Sequence, residues 1–361
     1  MIILATVQLQ KRHVLHKHKI KRLSSQKNSR ANRGREASFG DIMKTMQIPI
    51  TQSKEWQKFQ DTLGETSFLE QATDYHYLAI LKKTPVGNYL YLPYGPVAKD
   101  KKSFQAALKS LNVLAKEHHA IFIRIEPQNP DFTKYLPGSA KKSKDLNPAH
   151  TLIIDTARSR EEILADVPRR TRGYFNTYPK KGLKIEVSHD LADITYLVEL
   201  QKTLAKDKGI GVFSEDYLKK QLSQPFVSLY LVKYNPTFAE EHPDAKAEKV
   251  IAAVLIFDDA TTRYYIQAAQ DKAYTKLAAP SIVVCQMLID AHEQGIKHFD
   301  FWGIAPEDAP DSHPWKGFTK FKQSFGGQPV TYAGTYDIIL SPAKYRLYQL
   351  TRKLNRLLRR V

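Results

Sequence analysis

One order of elements occurs twice in this chain, and it confines the fold to the α/β class. Residues 75–83 (YHYLAILKK) and 88–93 (NYLYLP) read as two strands around a Thr-Pro-Val-Gly turn. Residues 102–119 follow with helical periodicity, Phe104, Leu108, Leu111 and Leu114 sharing one face over about five turns. AIFIRIEP then alternates as a strand and stops at Pro127. The same order returns with VIAAVLIFDD and TRYYIQAAQ, an apolar helix over 277–294, and the strand IKHFDFWG. Only the order of elements repeats, not the residues. A duplicated α/β unit is the simplest explanation, with chance recurrence as the rival.

Between the two units the pattern predicts a strand (HTLIID), a helix from Ser159, a basic helix (PRRTRGYFNTYPKKG), a strand (LKIEVS), helices near 191–206 and from Ser214, and a strand (VSLYLVKY). KYLPGSAKKSKDLNPAH and NPTFAEEHPDAKAEK read as exposed loops. Ahead of the first unit, SKEWQKFQDTL reads as a helix capped by Ser53. At the end, residues 342–361 set Leu347, Leu350, Leu354, Leu357 and Val361 on one stripe among Lys and Arg.

A length of 361 residues suits two domains with a sizeable core. The net charge of +18 sits at the ends: +9 over residues 1–45, +7 over 342–361, and +2 over all of 46–341. Two basic ends suit an anionic partner such as RNA or a membrane surface. A solvated tail and a soluble helix are the alternative, preferred for the N-terminal tail. Residues 11–44 carry too few apolar positions to offset the entropy of ordering, so 1–45 is expected to be a disordered basic tail. Met43 or Met46 could be the start of the folded protein. No apolar run reaches the roughly 18 residues that span a bilayer. The basic residues follow the short apolar start, the reverse of a secretory signal. The expected location is cytoplasmic, with peripheral contact at the inner membrane face through 342–361. The lone Cys285 lies in an apolar helical run and reads as a buried structural thiol.

Several chemistries lack their motifs: no G-x-x-x-x-G-K-S/T loop, no G-x-G-x-x-G after a strand, no G-x-S-x-G elbow and no metal-spaced His/Cys cluster occurs. Neither a metal nor a cofactor is expected. Lys206-Asp207-Lys208-Gly209-Ile210-Gly211 nearly matches the pyrophosphate loop of coenzyme A enzymes, but it follows a helix and is read as a loop.

The most specific stretch is Phe299–Gly327. A strand ends at Asp300, Trp302 and Gly303, a Pro-rich loop follows, and a helix then carries Trp315, Phe318, Phe321 and Phe325 up to Gly326-Gly327. The order A-x₃-G-I-x₃-D-F-x-G, Pro-rich loop, G-F-x-x-F-K-x-x-F-G-G resembles the Fem family of peptidoglycan-bridge aminoacyltransferases. Supporting pieces occur in the same order: LPYGPV with Tyr94 where Arg is usual, IRIEP with Glu126 for Asp, the basic helix, TLAKD with Lys206 for Arg, and YYIQAAQ.

The resemblance implies two tandem acetyltransferase-like (GNAT-like) domains with a cleft between them, in the short form without a helical-hairpin arm. Their expected extents are 46–157, completed by 330–361, and 158–329. It implies transfer of an amino acid from aminoacyl-tRNA to an amine of a peptidoglycan precursor, UDP-MurNAc-pentapeptide or lipid II, by a monomer. Such chemistry needs alignment, a donor for the oxyanion and a proton acceptor, but no enzyme nucleophile. By resemblance Lys322 stands near the transferred acyl group, with Phe321 beside it, and Lys206 contacts precursor phosphates. Glu126 is read as a proton acceptor or a loop brace. Tyr264 and Tyr265 alternate faces, so one of them points into the cleft. Lys58 and Gln60 are the candidates for an early phosphate contact, and Asp300 reads as structural. A coenzyme A-dependent acyltransferase of the same fold and a non-catalytic RNA- or membrane-binding module are the alternatives.

Overall fold

The computed structural model describes residues 47–208, 212–235 and 248–358. The tail 1–45, Gly209–Gly211 of the coenzyme A near-match and most of the NPTFAEEHPDAKAEK loop lie outside these residues.

The first half opens with helix α1 (Lys54–Thr62), whose Trp56 N–H is capped by Ser53 Oγ at 3.1 Å. Strands β1 (Thr66–Gln71), β2 (Tyr75–Lys82), β3 (Asn88–Leu92) and β4 (Val97–Ala98) lead to α2 (Lys101–Glu117). A reciprocal Asp100–Ser103 capping box starts α2. Strand β5 (Ala120–Ile125) then runs parallel to β3, so α2 is the crossover between them. A short strand β6 (Ala140–Lys142) follows within the segment expected to be a loop. Ala140 is half-buried and Lys141 and Lys142 are exposed, so no alternation reveals it; backbone pairing makes it a strand.

The second half repeats the plan. It contains β7 (His150–Asp155), α3 (Arg160–Asp166), α4 (Arg169–Thr177), β8 (Leu183–Ser188), α5 (Ile194–Lys208), α6 (Glu215–Leu222) and the long strands β9 (Val227–Tyr234), β10 (Lys249–Asp258) and β11 (Thr262–Gln270). Helix α7 (Ala279–Glu293) crosses over to β12 (His298–Asp300), which is parallel to β11. Helix α8 (Lys316–Gln323) and β13 (Gln328–Thr331) follow. The chain then returns to the first sheet through β14 (Tyr336–Ile339) and ends in α9 (Pro342–Leu358).

The sheet orders are β1-β2-β3-β5-β14-β6, with β4 beside β2, and β13-β7-β12-β11-β10-β9-β8. Each therefore has an antiparallel hairpin, a helical crossover, a parallel strand and an antiparallel neighbour: β2-β3-α2-β5-β14 and β10-β11-α7-β12-β7. The chain has the tandem acetyltransferase-like α/β architecture.

Three apolar clusters organise the halves. One packs α2 on the first sheet through Phe104, Ala107 and Leu111, and another packs α7 on the second through Val283, Val284 and Leu288. Cys285 lies in the latter, and burial pushes its thiol up to about 12. The third cluster joins the halves: Trp56 and Phe59 of α1 and Leu78 of β2 pack with Leu229, Leu255 and Phe257 of the second sheet. Trp56 lies 5.8 Å from Phe257 between ring centroids. Burial of such side chains stabilises by roughly 1.5–3 kcal/mol each.

Two expectations change. The strand read over 296–303 is regular only at His298–Asp300, because the backbone turns into a left-handed conformation at Trp302 (φ 67°). Leu347, Leu350 and Leu354 of the terminal stripe face outward, while the Leu357 side chain and Val361 lie outside the described residues. Among the described side chains of α9, Tyr345 and Tyr348 are the buried ones, packed on Phe122 at 5.2 and 5.0 Å, and Tyr345 donates to Asp337 at 2.7 Å.

Candidate functional site

The carboxyl end of β12 gathers the chemically unusual groups. Asp300 is buried there, accepting from the Thr151 hydroxyl and, at 2.7 Å, from the Trp302 N–H. Burial pushes its carboxyl up to about 6, against these donors and the nearby Lys322 charge. Trp302, the next outward-facing residue, meets Tyr264 and Tyr94 edge-on, at 5.6 and 5.2 Å between centroids. Tyr94 also contacts Tyr332 at 5.4 Å and donates to the Pro148 carbonyl at 3.0 Å. This aromatic wall therefore spans both sheets. Gly303 is glycine by necessity: a Cβ there would lie 2.9 Å from Pro148 Cγ.

Lys322 reaches the same strand end from α8. Its ammonium donates to the carbonyls of Phe301 at 2.7 Å and Gly303 at 2.6 Å, bracketing the left-handed Trp302. A non-glycine residue in that conformation costs about 1–2 kcal/mol, so these two hydrogen bonds act where the backbone needs support. The side chain is only 9% exposed and lies 5.7 Å from the Tyr265 ring and 5.0 Å from that of Phe318. Burial pushes the Lys322 ammonium down to about 8, with Asp300 opposing that shift. The helix carrying it ends at Gln323, and the chain then turns through Gly326 and Gly327, both at positive φ; a Cβ on Gly327 would meet the Ile153 carbonyl at 2.8 Å.

A small cavity of about 50 Å³ opens beside Asp300, lined also by Tyr264, His298 and Tyr332 of the second half and by Gln47 and Gln128 of the first. A larger one, about 290 Å³, lies over β2 and β3 and is bordered by Glu65, Lys82, Lys83 and Tyr89. None of the strand-end groups lines it, so its size gives it no claim on this chemistry.

The other candidate residues divide. Tyr264 takes the wall beside Trp302, whereas Tyr265 faces the second-half core and Lys322. Phe321 is half-buried against Phe325 at 5.2 Å. Lys58 stands exposed on α1, whose Trp56 and Phe59 are buried. Lys206 falls in the last turn of α5, and its side chain lies outside the described residues.

Glu126 is a brace. Oε1 accepts from Thr335 Oγ1 at 2.7 Å and from the Leu146 and Asn147 N–H groups at 3.3 Å each. Oε2 accepts from Asn147 Nδ2 at 2.7 Å and the Tyr91 hydroxyl at 3.0 Å. Five donors occupy the lone pairs a general base would need. Replacing Glu126 by Gln is expected to lower stability by about 1–3 kcal/mol while kcat stays within about tenfold. Thermal melts and turnover assays on one preparation check this; a hundredfold loss of kcat at unchanged melting would return Glu126 to catalysis.

Reading from sequence missed Tyr94, Tyr332 and the closeness of Asp300 to Lys322. Asp300 and Lys322 both belong to the specific stretch, but nothing in its spacing says that a helix after a Pro-rich loop returns to the strand end. Tyr94 stood out only as a departure from a pattern.

Comparison with known proteins follows the same lines. A curated relative, the lipid II:glycine glycyltransferase of Staphylococcus haemolyticus, is 21% identical over 319 residues, covering 69% of this chain and 76% of the relative. The crystal structure of FemX matches with a TM-score of 0.71 at 18% identity, over 83% of this chain and 94% of that one. The structure of L-PGS from Bacillus licheniformis matches with a TM-score of 0.51 at 13% identity, over 84% and 96%. At these identities the structural likenesses establish the fold. The family model described as FemAB matches residues 231–353, a stretch that starts within β9, takes in the strand end and Lys322, and ends within α9.

Proposed function

We propose that this protein transfers an amino acid from aminoacyl-tRNA to an amine of a peptidoglycan precursor, either UDP-MurNAc-pentapeptide or lipid II. A buried ammonium at the end of a central strand carries the reading: Lys322, beside Asp300 and an aromatic wall drawn from both halves. The S. haemolyticus relative, whose name pairs lipid II with glycine, supports the same class of acceptor and of transferred group.

In this reaction the amine nitrogen attacks the ester carbonyl carbon and a C–N bond forms. The ester C–O bond then breaks, and the tRNA terminal hydroxyl leaves with the proton the amine gives up. The ester is already activated, so the protein need only align the two substrates and stabilise the oxyanion. An ammonium has three N–H donors. Lys322 directs two at backbone carbonyls, and the third is assigned to the developing oxyanion. Asp300 acts as a positioning residue that keeps the buried cation charged. Tyr264 and Trp302 form the wall against which the acyl group is held. Lys206 and Lys58 are assigned to phosphate groups of the substrates.

The test is incubation with labelled aminoacyl-tRNAs and each precursor in turn. Transfer to one of them is expected. Labelling from acetyl-coenzyme A instead would establish a coenzyme A-dependent acyltransferase, and no transfer from any donor would leave a binding protein.

A further inference from the structure

The terminal helix presents an apolar stripe that is exposed among the described residues. Leu347, Leu350 and Leu354 are 52%, 57% and 58% exposed, and their spacing of three and four residues aligns them on one face of α9. Tyr345 and Tyr348 occupy the opposite face against Phe122, and Asp337 holds Tyr345 by a hydrogen bond. The helix is thus clamped to the body along one side, with its leucines turned away.

Charge indicates what covers them. At 100° per residue, exposed Arg346 and Lys353 border the stripe on one side and exposed Lys344 borders it on the other. No acidic residue follows Asp337, and Asp337 is itself buried. A second copy of this chain would set like-charged borders against each other. Nucleic acid would engage the cations and leave the leucines in water. A bilayer with anionic headgroups satisfies both, because leucines enter the acyl boundary while cations stay at phosphate level. None of the described helices is long and apolar enough to cross a membrane, so the contact would be in-plane.

We propose that α9 is an in-plane docking helix for an anionic phospholipid surface, with Leu347, Leu350 and Leu354 inserted and Lys344, Arg346 and Lys353 on the phosphates. The inference stands whether or not the aminoacyl-transfer reading holds.

The experiment is co-sedimentation of the full chain with vesicles of phosphatidylglycerol and phosphatidylethanolamine, and with vesicles of phosphatidylcholine alone. Binding to the anionic vesicles only, weakening with salt, is expected. The triple change Lys344→Gln, Arg346→Gln, Lys353→Gln should weaken it about a hundredfold, roughly fivefold per cation. The triple change Leu347→Ser, Leu350→Ser, Leu354→Ser should weaken it at least about tenfold without lowering the melting temperature, since all three side chains are exposed. The basic N-terminal segment is common to all variants and cannot produce the leucine effect. Equal binding to both vesicle types would overturn the proposal, as would undiminished binding by the serine variant. So would dimerisation in sedimentation velocity, or single-stranded RNA binding, that the serine changes abolish.

Discussion

Lys322→Ala should lower turnover at least about 10²-fold, the scale of losing one oxyanion donor in an acyl-transfer site. The side chain does two things that the substitution removes together. It offers a buried cation at the strand end, and it ties the Phe301 and Gly303 carbonyls around the left-handed Trp302. A modest fall in melting temperature should therefore accompany the kinetic loss. Added ethylammonium separates the two contributions: it can occupy the vacated site and should restore part of the turnover. Unchanged turnover in the alanine variant would make Lys322 a turn brace and nothing more.

Acidity gives a second view of the same group. With Lys322 near 8 and Asp300 near 6, turnover should hold between those values and fall outside them. Above about 8 the ammonium is neutral and cannot stabilise an oxyanion. Stability moves the other way in that range. The folded value of Lys322 lies below its unfolded value of roughly 10.4, so the unfolded chain binds more protons there and this group's contribution to stability rises with pH. An alkaline fall in turnover with no fall in melting temperature therefore reports the site rather than unfolding.

Asp337→Ala should cost about 3–5 kcal/mol, because it strands a buried guanidinium. Arg124 is held by Asp337 in a two-pronged pair, Nε to Oδ1 at 2.6 Å and Nη2 to Oδ2 at 2.7 Å, and both side chains are almost wholly buried. The Tyr345 hydroxyl also donates to Oδ2, so one carboxylate secures β14 to β5 and anchors α9. For a chain of this size the loss corresponds to a fall in melting temperature of about 4–7 °C. The double change Arg124→Met, Asp337→Leu should recover much of it, because apolar residues of similar size leave no charge unpaired. A melting temperature within about 2 °C of the parent for the alanine variant would contradict this account.

The linear chain determined what local chemistry can determine. Apolar spacing marked α2 and α7, alternation and turn residues marked the long strands, and Ser53 capped α1 as its type suggests. The repeated order of those elements was enough to indicate two like halves. The F-K pair at Phe321-Lys322 and the closing Gly326-Gly327 singled out the helix that carries Lys322 to the strand end. Only the tertiary structure decided what these residues do to one another. Glu126 became a brace because Thr335, from a segment 209 residues away, completes its set of donors. Arg124 found Asp337 across 213 residues, a pairing that no periodicity encodes. Lys322 gained its lowered pKa from burial against a strand end that it meets again through an irregular loop. The terminal helix shows the limit most directly: its spacing fixed which residues share a face, but its leucines point outward because Tyr345 and Tyr348 found Phe122 first. Local pattern sets the shape of an element and the grouping of its side chains. Which group is buried, and beside what charge, depends on the partner surface that long-range folding brings to it.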